Sequence, residues 1–105
     1  MSLIEQVKRK LNITWSDEDT DQRVADISDS AAIALRHKLG ISDPAYDFSQ
    51  RGQENMLFLS LCLYEWNHAA HEFDVNYAND IAQVRAIHEA RQYQEKEAAA
   101  NGANE

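Results

Sequence analysis

The chain has 105 residues, 44% of them hydrophobic and 27% charged, enough for one buried core and too few for two. Its 10 Lys and Arg stand against 18 Asp and Glu, a formal net charge of −8, which opposes phosphate-backbone binding or anionic-membrane attachment as the main activity, since both need clustered cations. Three glycines and one proline leave few breakpoints for a hairpin-rich β fold, and the single cysteine, Cys62, excludes an intrachain disulfide and a cysteine-based zinc site.

The first segment, 2–11, carries Leu3, Ile4, Val7 and Leu11 at helical spacing. Ser2 and Glu5 have the capping-box spacing. Asn12-Ile13-Thr14-Trp15 reads as a connector pinned to the core by Ile13 and Trp15. Ser16-Asp17-Glu18-Asp19 opens a second helix over about 17–39, with Ser16 as cap and acids in the first turn, where the helix dipole favours them. Val24, Ile27, Ala31, Ala34 and Leu35 form its apolar stripe. Arg36, His37 and Lys38 suit its carbonyl end, and Gly40 is the predicted stop.

Residues 41–49 have loop chemistry around Asp43-Pro44 and hold two aromatics, Tyr46 and Phe48. These either tuck onto the core or meet a partner. A third helix is predicted over about 50–73. Met56, Leu57, Phe58, Leu59, Leu61, Cys62, Leu63, Tyr64 and Trp66 leave it almost no polar face, so it must be surrounded, and a second subunit is expected to complete the cover. Asp74-Val75-Asn76 reads as a break. A last helix, about 77–100, shows Ile81, Val84, Ile87 and Arg91 on one stripe. After Tyr93 no large apolar residue follows, so residues 94–105 read as a weakly anchored tail on a single domain of 1–93. The expected fold is all-α: three long helices, a short N-terminal helix and an extended C-terminal helical tail.

The N-terminal ten residues place their cations after the apolar ones, unlike a signal peptide. The most apolar run, 56–66, is shorter than the roughly 20 residues needed to span a bilayer. Neither feature calls for export or a membrane.

Chemistry-bearing patterns are sparse. Glu65-Trp66-Asn67-His68 would place a carboxylate and an imidazole one helical turn apart, the unit that di-iron bundles use twice, but no second copy occurs. His68 and His71 have a metal-compatible spacing and lack further ligands from the sequence. Cys62 has no Lys, Arg or His within four residues, which keeps a thiol protonated and inert. Phosphate-binding, dinucleotide and nucleophile-elbow motifs are absent. The expectation is a non-enzyme with no cofactor and no metal. Charge is uneven: residues 1–15 carry Lys8, Arg9 and Lys10 against Glu5, whereas 16–30 carry six acids against Arg23.

The order of these elements resembles a known family. Leu3-Ile4-Glu5-Gln6-Val7-Lys8-Arg9-Lys10-Leu11 precedes the acidic stretch Trp15-Ser16-Asp17-Glu18-Asp19-Thr20-Asp21. Ile27-Ser28-Asp29-Ser30-Ala31 follows, then an aromatic helix reaching Leu63-Tyr64-Glu65-Trp66, and then Ile81-Ala82-Gln83-Val84-Arg85. Over roughly residues 2–93 the chain is similar to the small head-to-tail connector (head-completion or adaptor) proteins of long-tailed bacteriophages and prophages. The resemblance implies a ring of about a dozen subunits, as closed cyclic assemblies go, seated beneath the portal protein. Such a ring extends the DNA channel, lets DNA pass without specific binding, and receives the next neck or tail-completion protein. It implies assembly in the bacterial host cytoplasm and a final place in the virion neck. In that family the loop between the second and third helices and the chain ends make contacts. The interface candidates here are Tyr46 and Phe48 in the loop, Phe58, Tyr64 and Trp66 on the third helix, and Tyr93 at the start of the tail. The alternative is a small acidic regulatory or antitoxin-like binding module using the 56–66 face, and a third is a metal-dependent helical enzyme.

Overall fold

The computed structural model describes residues 2–103, and side chains as far as residue 100. Met1, Asn104 and Glu105, the outermost residues of the expected domain and tail, lie outside the described residues. The structure is all-helical: α1 (Leu3–Lys10), α2 (Glu18–Lys38), α3 (Gln53–Trp66), α4 (Ala70–Asn76) and α5 (Ala78–Ala103).

Local chemistry explains the starts. Ser2 and Glu5 form the reciprocal capping box on α1. The cap of α2 is Asp17 rather than Ser16: its carboxylate accepts from the Thr20 amide at 2.8 Å. The Ser16 hydroxyl instead donates to Asp21 at 2.9 Å. A carboxylate at that position also gains from the helix dipole, which a serine does not. Gly52, at φ 156°, opens α3 in a backbone conformation that side chains disfavour.

The first three helices end alike. Asn12, Gly40 and His68 take left-handed φ values of 59°, 65° and 58°. The amides beyond them reach back five residues, Ile13 to Lys8, Ile41 to Arg36 and Ala69 to Tyr64, at 2.9, 2.9 and 2.8 Å. Gly40 therefore stops α2 as predicted. The stop at His68 was not expected: the helix predicted over 50–73 breaks after Trp66, and the predicted break at Asp74-Val75-Asn76 is helical, within α4.

α3 lies at the centre. Leu57, Phe58, Leu61 and Cys62 are buried, and Leu59, Leu63, Tyr64 and Trp66 are half-buried. Val24, Ala31 and Leu35 of α2, Val7 of α1 and Phe73 of α4 complete its surroundings. Phe48 from the 41–49 loop stacks on Phe58 at 5.2 Å between ring centres. Much of α3 is thus covered by its own chain, and Met56 is the one exposed side chain along the helix. Ile13 is buried as expected, but Trp15 is 51% exposed and donates its indole N–H to Thr20 at 3.2 Å. The Lys8 ammonium meets Asp21 at 2.7 Å and ties α1 to α2, holding that carboxyl below the usual aspartate range.

α5 runs antiparallel to α3, since Tyr77 contacts Ser60 and His88 contacts Glu54. Its inward stripe is Ile81, Val84, His88 and Gln92. The expected Ile87 is 52% exposed and Arg91 is exposed too. Steps of three and four residues keep 81, 84 and 88 on one face and turn 87 away. No described helix is long and apolar enough to cross a membrane.

Leu61→Ala removes a fully surrounded side chain and is expected to lower unfolding free energy by about 2–5 kcal/mol. Leu63→Ala, at a half-buried site, is expected to cost less. Denaturant unfolding of both variants checks the order.

Candidate functional site

The six aromatic candidates do not form one surface. Phe48 and Phe58 are 2% and 0% exposed, stacked in the core, and offer a partner nothing without unfolding. Tyr46 lies half-buried with its ring edge-on to Phe48 at 5.0 Å and to His88 at 5.6 Å. Burial, and then the nearby Glu54 carboxylate, raises its phenol above the usual tyrosine range. Tyr64 packs edge-on to Phe73 and Tyr77 and accepts a hydrogen bond from Asn76 at 3.0 Å. Trp66 carries the Arg23 guanidinium 4.1 Å above its ring, and the same guanidinium donates to the Trp66 carbonyl at 2.9 Å. That pair accounts for the one cation in the acidic 16–30 stretch: Arg23 staples α2 to the end of α3. Tyr93 alone, 63% exposed, stands in the open, where its hydroxyl donates to Glu97 at 2.9 Å.

The candidate metal ligands are separated by the break after α3. Glu65 sits in the last turn of α3, while His68 occupies the left-handed position beyond it, so the two do not share a helix face. His71 belongs to α4, across the same turn. Among the described residues no group of three or more His, Cys, Asp or Glu side chains converges. Burial, with Glu65 adding to it, pushes the Cys62 thiol up to about 12, which denies it thiolate character at neutral pH. Partial burial also raises Glu65, against a lowering influence from Lys38.

The polar attachment of α5 was not foreseen. His88, 5% exposed, meets the Glu54 carboxylate at 3.1 Å. Arg85 donates to the Lys38 carbonyl at 3.3 Å and is held in place by Glu89 at 2.7 Å. Gln92 donates to the Gly40 carbonyl at 3.0 Å and accepts from both the amide and the hydroxyl of Ser42. The middle of α5, residues 85–92, is thus fastened to the end of α2 by side chain–backbone bonds, with Val84 as its last buried apolar residue among the described side chains. Beyond Gln92 every described side chain, 93–100, is exposed. The available signal was the i, i+4, i+7 spacing of Arg85, Glu89 and Gln92, which reads as an ordinary solvated face until the loop at 38–42 is placed beside it.

At His68 the left-handed conformation of a non-glycine residue costs about 1–2 kcal/mol. His68→Gly is therefore expected to raise stability by about 0.5–1 kcal/mol, the remainder being offset by glycine's greater unfolded-state freedom. Thermal melting checks it, and a loss of stability would show that the imidazole makes a needed contact.

No family model, curated protein or solved structure matches the chain.

Proposed function

We propose that the protein is a structural neck component of a long-tailed bacteriophage or prophage. In this role it forms a ring beneath the portal that extends the DNA channel and receives the next neck or tail-completion protein. The observation that carries this reading is the projecting end of α5. The radius of gyration is 16.1 Å and the long axis 57 Å, against an expected radius of about 13 Å for a globular chain of this length. The excess comes from a 26-residue helix, about 39 Å long at 1.5 Å per residue, whose described side chains beyond Gln92 are all exposed. A helical end of that length is marginal in water by itself, and a neighbouring subunit or neck protein would supply its cover. The family resemblance supplies the identity of the assembly. The acidic net charge suits a channel wall past which DNA slides, because like charge avoids the counterion-release attraction that would hold it.

The reading also fits the separation of body from arm. Most of the apolar 56–66 face is used inside the chain, with Met56 exposed and Leu59 half-buried, so assembly would rely on exposed groups: Ile87 and Tyr93 on α5, Val75 on α4 (78% exposed) and the charged faces of α1 and α2.

Deleting the gene in its source genome and imaging the induced lysate by negative-stain electron microscopy tests the proposal. The expected result is DNA-filled heads lying apart from free tails, with joined particles restored by the intact gene and not by a version ending after Gln92. Normally tailed particles from the deletion strain, or no particles from the intact one, would contradict it.

A further inference from the structure

On this acidic molecule one cleft is cationic. Between α1 and α3 lies an opening of about 310 Å³ lined by Gln6, Arg9, Lys10, Arg51, Asn55 and Leu59. Its floor is prearranged. The Asn55 amide donates to Gln6 at 2.6 Å and to the Phe48 carbonyl at 2.7 Å, and Gln6 donates to the Ser49 carbonyl at 3.1 Å. Arg9, Lys10 and Arg51 stand exposed around the rim. None of these three cations is among the ion pairs formed by the described residues. Leu59 contributes an apolar patch between them.

The complementary surface is on the same chain, on the other side. Asp19, Asp26, Asp29 and Ile33 follow one another along α2 on the face opposite its buried Val24, Ser28, Ala31 and Leu35. Ile33 is 63% exposed. The three carboxylates likewise take part in no ion pair among the described residues. Three cations around a leucine therefore face one way, and three carboxylates beside an isoleucine face the other. A chain cannot bring these two surfaces together by itself.

We infer that the cationic α1–α3 cleft receives the acidic outer face of α2 from a second copy of this chain, a head-to-tail contact that repeats around a ring. The inference rests on the neck reading for the closure of the ring, and on charge and shape complementarity for the contact itself. Because the two surfaces lie on opposite sides of the protomer, the contact is heterologous: it propagates from copy to copy and closes when the rotation per step allows. Ile33 meets Leu59 at the centre, with the charges around them excluding wrong pairings.

Charge reversal on each side, alone and together, tests the pairing. Sedimentation velocity of the purified chain in low salt is expected to show self-association that weakens as sodium chloride rises, exposed charges being screened over about 10 Å at 0.1 M. Arg9→Glu with Arg51→Glu, or Asp26→Lys with Asp29→Lys, is expected to lower the association constant by about 100-fold or more while circular dichroism and melting stay unchanged. Combining all four substitutions in one chain, or mixing the two double variants in equal amounts, is expected to restore assembly. Four results would overturn the inference: a monomeric wild type at millimolar concentration, a discrete two-fold dimer, reversal without rescue, or a cleft variant that loses only DNA binding in a mobility-shift assay. None of them touches the neck reading, which stands or falls on particle morphology.

Discussion

One helix with almost no polar side determines where everything else goes. α3 carries Leu57, Phe58, Leu61 and Cys62 inward and Leu59, Leu63 and Tyr64 on its flanks, so water must be kept from nearly its whole circumference. α1 and α2 cover two sides, α4 a third through Phe73, and the 41–49 loop seals the start by laying Phe48 flat on Phe58. The loop is therefore structural at Ile41 and Phe48, which are buried, and exposed at 42–45 and 47, with Tyr46 half-buried. Its position is fixed by Asn55 and Gln6, which take up the carbonyls of Phe48 and Ser49, the groups a buried loop could not leave unbonded.

The same constraint separates a body from an arm. Apolar cover is consumed around α3, and Val84 is the last inward apolar residue of α5; from there the helix is attached by His88, Arg85 and Gln92 to a carboxylate, two backbone carbonyls and Ser42. Side chain–backbone bonds at a solvent boundary stabilise modestly, each by about 1 kcal/mol, because water competes for both partners. α5 can thus be directed by α2 without being locked to it. Meanwhile Arg9, Lys10 and Arg51 gather at the α1–α3 cleft, and Asp19, Asp26 and Asp29 lie along the outer side of α2.

Much of the fold is legible in the sequence because local signals agree with it. The Ser2–Glu5 capping box, the acids opening α2, the cations closing it and Gly40 at its stop all act over a few residues and all appear in the structure. The break at His68 was hidden because a histidine and not a glycine takes the left-handed position. The inward stripe of α5 was misread because Ile87 outranks His88 and Gln92 in hydrophobicity, and only the placement of Glu54 and the 38–42 loop makes the polar residues the inward ones. Phe48 and Phe58 were candidate contacts because aromatics in a loop and on an apolar helix look alike whether they meet each other or a partner. The cationic cleft was invisible for a different reason: Arg51 lies far along the chain from Arg9 and Lys10, and only packing of α1 on α3 brings them together.

The central claim is that a single chain buries the core-facing side of α3 by itself, at Leu57, Phe58, Leu61 and Cys62, and leaves the described end of α5 beyond Gln92 exposed. Amide hydrogen exchange on the isolated chain, in salt high enough to screen charge contacts, tests it most directly, since protection reports local opening free energy residue by residue. The account predicts the slowest exchange at 57–62 in α3 and along the inner face of α2, with 93–100 exchanging close to the unprotected rate. Exchange at 57–62 as fast as at 93–100 in the monomer would show that α3 depends on another subunit for its cover, and would contradict the account.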